Sequence, residues 1–123
     1  MINRIQVTTV FVSDQDKALD FYVGKLGLEK KLDMPMPQFR WVEVAPAGAE
    51  TSISLQLPWP GMSVQGGPSG MIFDTNDVKG AYDKLAAQGV NFTQAPTEQP
   101  WGGIEARFTD PDGNEFSLVQ RTN

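Results

Sequence analysis

The chain has 123 residues, enough for one compact domain with its own hydrophobic core, and 40% hydrophobic and 20% charged residues are ordinary for a globular protein. A net charge of −5 argues against nucleic acid as a partner, since that binding rests on basic patches, and no apolar run reaches the ~18–20 residues of a membrane span. With no cysteine and no histidine, disulfides, thiolate or imidazole metal ligands, thiol nucleophiles and a serine-histidine-acid triad are all excluded. Catalysis, if there is any, falls to carboxylates, Lys, Arg, Tyr, hydroxyls or backbone groups. The opening "MINRIQVTTVFVSDQD" lacks the charged, apolar, small-residue order of a secretory signal, so a cytoplasmic location is expected.

Taken in chain order, "RIQVTTVFV" at 4–12 is β-branched and partly alternating, which predicts a strand. Ser13 or Asp14 then caps a helix over 14–26, with Ala18, Phe21, Tyr22 and Leu26 on one face and Gly27 ending it. Strands are predicted near 28–33, 39–45 and 51–57. Met34 and Met36 fall in a loop able to fold over a cavity, and Trp41 reads as a core residue of its strand. The Pro- and Gly-rich stretch "PWPGMSVQGGPSG" follows; it lacks the phosphate-loop lysine and spacing, so it reads as a linker. A strand near 69–74 comes next, then Asn76 as cap of a helix over 77–88 with Val78, Ala81, Tyr82 and Leu85 inward. Gly89 ends that helix, and strands near 90–94, 103–109 and 114–120 complete the order.

The order strand, helix, three strands thus occurs twice, and the halves match in detail. Gly27-Leu28 answers Gly89-Val90, "APAG" at 45–48 answers "DPDG" at 110–113, and "ISL" at 53–55 answers "FSL" at 116–118, mostly at offsets of 62 or 63 residues. A unit that occurs only twice is no solenoid. An α+β fold is expected, with two tandem βαβββ modules forming a curved mixed sheet around a cavity. Module 1 covers about 1–58, the linker about 59–67 and module 2 about 68–123 of a single domain. Val10, Val12, Ile53, Leu55, Phe116 and Leu118 should face the helices, leaving the mixed face for the concavity. The carboxylate-rich "DPDGNE" at 110–115 reads as a hairpin turn with Gly113 at positive φ: its counterpart "APAG" has neither aspartate, and "FSLVQ" after it lacks the alternating ligands of a calcium loop.

The stretches "VSDQDKALDFYVGKLGL" at 12–28, "TNDVKGAYDKLAAQGV" at 75–90 and "FTDPDGNEFSLVQ" at 108–120 together resemble the vicinal oxygen chelate superfamily of glyoxalase I, extradiol dioxygenases and bleomycin-resistance proteins. The resemblance covers nearly the whole chain. It implies four metal-ligand positions, which fall here on Val7, Ser54, Gly70 and Ser117; the pairs Val7/Gly70 and Ser54/Ser117 are each 63 apart. Val and Gly offer no side-chain donor and Ser is a weak one, so no metal and no other cofactor is expected. Glyoxalase I chemistry and extradiol cleavage, which need that metal, are disfavoured accordingly.

Period-two alternation places Ser52, Ser54, Gln56, Glu115, Ser117 and Val119 on the cavity face, joined by Thr9, Phe11, Glu105 and Arg107. Trp59 and Trp101 lie in loops, where a large aromatic is readily explained by ligand contact, and the "WGG" at 101–103 resembles bleomycin-resistance proteins. Ser54, Gln56, Trp59, Trp101, Arg107 and Ser117 are therefore the ligand-binding candidates. The first reading is a metal-independent binding protein for an aromatic or cationic amphipathic small molecule, with drug or toxin sequestration as its use. A homodimer with two sites is implied by the resemblance. The second is a lyase or isomerase on a small carbonyl compound, with Glu105, Glu115 or Glu43 as base and Arg107 stabilising developing charge. A structural or regulatory dimer with a vestigial cavity is the third.

Overall fold

The computed structural model describes residues 1–121; Thr122 and Asn123, the end of the expected second module, lie outside the described residues. The chain divides into two compact units, Met1–Val64 and Gln65–Asn123. Each is a four-stranded mixed sheet with one helical segment, so the α+β class and the doubled βαβββ order hold.

In the first unit β1 (Val7–Phe11), β2 (Glu29–Pro35), β3 (Arg40–Ala45) and β4 (Ser52–Gln56) take the order β1-β4-β3-β2. β1 runs parallel to β4; the other pairings are antiparallel. The helix α1 (Gln15–Leu19) passes into a π-helical turn, Asp20–Lys25. Asp14 is its cap, Oδ1 accepting the Lys17 N–H at 3.0 Å. Val10, Val12, Ala18, Phe21, Tyr22, Val42, Val44, Ile53 and Leu55 form the buried core. β2 extends through Pro35, which places Met34 in a strand and corrects the loop expected there; the Met36 N–H bonds to the Phe39 carbonyl at 2.7 Å and closes the hairpin.

The second unit repeats the plan with β5 (Gly67–Asp74), α2 (Val78–Ala87), β6 (Asn91–Glu98), β7 (Gly103–Thr109) and β8 (Asn114–Arg121), in the order β5-β8-β7-β6. Its core is aromatic. Phe73, Phe108 and Phe116 stack with centroids 5.3–6.1 Å apart, and Tyr82 meets Phe92 edge-on at 4.7 Å. The helix cap is Asp77, not Asn76: Asp77 has the extended φ of −148° that a cap needs, and its Oδ1 accepts the Gly80 N–H at 3.0 Å. A Cβ at position 80 would collide with that carboxylate, so the glycine makes room for the cap.

The "DPDG" segment is the β7–β8 turn. The buried Asp110 accepts the N–H groups of Asp112 and Asn114 on Oδ1, both at 2.9 Å, and the Asn114 amide on Oδ2 at 2.8 Å, with Gly113 at φ +82°. The start of β5 lies against this turn. Gly67 N–H bonds to the Gly113 carbonyl at 2.8 Å, and a Cβ at Gly66 would stand 2.9 Å from the Asp112 carbonyl oxygen.

Candidate functional site

In the first unit, β3, β4 and the segment after β4 frame a cavity of about 630 Å³. Phe39, Trp41, Leu57, Pro58 and Trp59 give it an apolar wall, and Gln15, Gln38, Gln56 and Arg40 supply its polar groups. That size is in the range of drug-sized ligand sites. Two interactions set its shape. Gln15, the first residue of α1 and buried, donates from Nε2 to the Leu55 and Arg40 carbonyls, each at 2.8 Å, and ties the helix start to β3 and β4. Trp59 meets Phe11 edge-on, centroids 5.1 Å apart, yet stays 58% exposed. An indole so held keeps an open face for a flat ligand.

Arg40 brings little free charge to this cavity. It donates to Asp33 from both Nε and Nη2, each at 2.8 Å, and to Asp16 from Nη1 at 2.8 Å. The hydrogen bond from Arg40 is the main cause holding the Asp33 carboxyl below its usual range, and the same contacts raise Arg40. On the sheet face below, Thr9 and the fully buried Ser54 share a hydrogen bond of 2.8 Å, and Trp41 donates to Glu43 Oε2 at 2.6 Å. Trp41 is therefore no core residue. It alternates with Val42 and Val44, and shares the opposite face with Glu43, where it lines the cavity.

The second unit carries a cavity of about 640 Å³ lined by Trp101, Glu105, Arg107, Val119, Arg121 and neighbours from β5 and the β6–β7 loop. The Ser117 hydroxyl donates to Glu105 Oε2 at 2.7 Å, and Arg107 Nε stands 3.5 Å from the same oxygen. The expected Arg–Glu pair is present; half of the Arg107 side chain is in solvent, which makes the pair a weak one. Trp101, 57% exposed, lays its six-membered ring over Gly103, where any Cβ would collide with it. Both glycines of "WGG" now have a reason: Gly102 turns the chain at φ +95° and Gly103 leaves space for the ring.

The ligand-binding candidates therefore separate. Gln56 and Trp59 line the first cavity, Trp101 and Arg107 the second, and the hydroxyls of Ser54 and Ser117 lie on the two sheet faces, each engaged with a neighbour. Of the carboxylates proposed as bases, only Glu105 lines either cavity; Glu43 is taken by Trp41, and Glu115 Oε2 accepts from Thr93 at 2.8 Å. Sequence reasoning missed Gln15 and Phe39. For Gln15 the signal was its place one turn before Ala18 on the inward helix face. Phe39 stands two residues before Trp41, on the same side by alternation.

The donor set does not fit the metal that the fold family uses. Val7 and Gly70 bring no side-chain donor atom, Ser54 Oγ is bonded to Thr9, and Ser117 Oγ is spent on Glu105. Among the described residues no group of three or more His, Cys, Asp or Glu lies close enough to hold a metal ion.

With this fold and these sites, the chain belongs to the Glyoxalase/Bleomycin resistance protein/Dioxygenase superfamily, whose model matches residues 4–118. It is similar to a superfamily member from Sphaerobacter thermophilus DSM 20745, at 44% identity with a TM-score of 0.93 over 98% of both chains. It is also similar to TnmS3, an antibiotic binding protein from Streptomyces sp. CB03234, at 39% identity with a TM-score of 0.88 and 98% of both chains covered. YetH of Bacillus subtilis (strain 168) is 37% identical over 124 residues, covering 98% of this chain and all of that protein. No helix among the described residues is long and apolar enough to cross a membrane.

Proposed function

We propose that this protein is a metal-independent binding protein for a small aromatic or cationic amphipathic molecule, used for drug or toxin sequestration. The observation that carries the reading is the first-unit cavity: about 630 Å³, walled by Phe39, Trp41 and Trp59, with few polar groups. The likeness to an antibiotic binding protein along nearly the full chain supports it. Its lining contains no carboxylate, so attraction of a cation rests on the net charge of −5 acting at long range. A homodimer in the cytoplasm is part of the same proposal.

The test is a tryptophan-fluorescence and calorimetric titration of the purified protein against aromatic and cationic amphipathic compounds. Saturable quenching with a matching heat supports binding; a flat response across both classes sinks it. Stoichiometric nickel, zinc, iron or manganese in protein purified without chelators would overturn the metal-independent part.

A second reading, a lyase or isomerase on a small carbonyl compound, draws on Glu105 in the second cavity. Its Oε2 lies between Ser117 and Arg107, where a base and a charge stabiliser would be wanted. Turnover of a bound carbonyl compound that disappears in Glu105→Gln while binding persists would favour it. Unchanged turnover in that variant would remove it.

A further inference from the structure

Gln56 sits on β4, facing the same way as Ser54, and is 6% exposed. Its backbone is fixed by pairing with Phe11 on β1 and by the Val12 N–H, which donates to its carbonyl at 2.8 Å. Its side-chain Nε2 is buried and finds no acceptor among the described residues, the one such side-chain atom they contain. A buried donor left unpaired costs on the order of 1–3 kcal/mol, so an amide is a poor choice here for packing alone. The repeat shows that packing does not require one: the position 63 residues later on β8 holds Val119, which is buried.

From this we infer that Gln56 is the specificity-determining group of the first cavity, and that the ligand it selects is a neutral planar aromatic carrying a hydrogen-bond-accepting oxygen, such as a ring carbonyl. The inference rests on the small-molecule-binding reading above and sharpens it. Gln56 lines the cavity beside Trp41 and Trp59. The last torsion of a glutamine is broad and turns at little cost, so the amide can swing from its enclosed position toward an entering oxygen. The ring of the ligand would rest on the open face of Trp59. The cavity's single cation, Arg40, is already engaged by Asp33 and Asp16, and its lining holds no carboxylate, so a charge on the ligand gains little locally.

Three tricyclic probes of one shape separate the terms: fluorene with no polar group, 9-fluorenone with an acceptor oxygen, and carbazole with an N–H donor. Each is titrated into the wild-type full chain and into Gln56→Leu, with thermal melts alongside. The wild type should bind 9-fluorenone about tenfold more tightly than fluorene or carbazole, the usual size of one well-made buried hydrogen bond. Gln56→Leu should abolish that preference, leave fluorene within about twofold and melt at the same or a higher temperature. Gln56→Asn, which shortens the reach but keeps the amide, should retain a part of the preference. If the probes bind but the preference survives in Gln56→Leu, or carbazole binds best, the assignment to Gln56 fails while the binding reading stands. If none binds the wild type, the assignment to Gln56 fails, and the binding reading fails with it only when the cationic amphipathic compounds of the wider titration also give no response.

Discussion

The two units share a strand order and differ in what they do with it. On the mixed face the first unit has Trp41, Glu43 and Gln56 where the second has Glu105, Arg107 and Val119, the strands being matched through the pairing of Glu43 with Ser54 and of Arg107 with Ser117. In the first, the indole of Trp41 occupies its own strand position and the wall is filled from within the sheet. In the second, Glu105 holds that place, and the aromatic group is Trp101, which reaches back from the loop over Gly103. The polar groups follow the opposite logic. Glu105, Ser117 and Arg107 satisfy one another in the second unit, whereas the first keeps a buried amide nitrogen without an acceptor. A repeated frame needs the same core positions filled, so those stay apolar; the mixed face is free of that demand, and there the two units differ.

The largest effect should come from removing the aromatic wall of the first cavity. Trp59→Ala deletes the exposed indole braced by Phe11, and binding of 9-fluorenone should weaken by about 30-fold, the ~2 kcal/mol of a central aromatic anchor. Trp101→Ala should leave that affinity within about twofold. Calorimetric titration of both variants decides it, and a reversed order would assign the ligand to the second cavity. Next in size is Gly103→Ala. The added methyl and the Trp101 ring claim the same space, so stability should fall by ~1–3 kcal/mol or the ring should swing into solvent. Either outcome is visible, as a lower melting temperature or as red-shifted, more readily quenched emission. A variant unchanged in both would mean that Trp101 does not rest on Gly103.

The frame was legible in the sequence because it depends on periodicity and punctuation. Alternation gave Val10, Ile53, Leu55, Phe116 and Leu118 to the core, all of them buried, and Gly27 and Gly89 end their helices at φ +78° and +90°. Trp41 shows where such reading stops. Its size suggested the core, although the same alternation that buried Val42 and Val44 put it on the other face, beside Glu43. The distribution of candidates over two cavities lay beyond reach for another reason. Glu105 and Glu115 share a face through the regular pairing of β7 with β8, as alternation predicts; what separates them is their neighbours, Ser117 for Glu105 and Thr93 of β6 for Glu115, which no local composition announces. The vacant amide of Gln56 is likewise a fact of three-dimensional surroundings, invisible in "ISLQLPW".

The smallest effect tests the electrostatic difference at the rims. Arg40 in the first unit bridges Asp33 and Asp16; its counterpart in the second is Ile104, which can hold no such pair. Because Arg40 holds the folded Asp33 carboxyl below its unfolded value near 3.8, the pair contributes stability that is fully present above that value. It is lost as pH falls through the lower folded value, since protonation then removes the charge that Arg40 engages. Asp33→Asn should therefore lower the melting temperature slightly at neutral pH and make no difference at the acid end, where the wild type has already lost the interaction. The gap between the two melting curves should close with falling pH and narrow with added salt, because the pair is partly exposed. A gap that stays constant across the acid range would assign the loss to altered packing of β2 on β3, and the charge of Asp33 would then have no part in it.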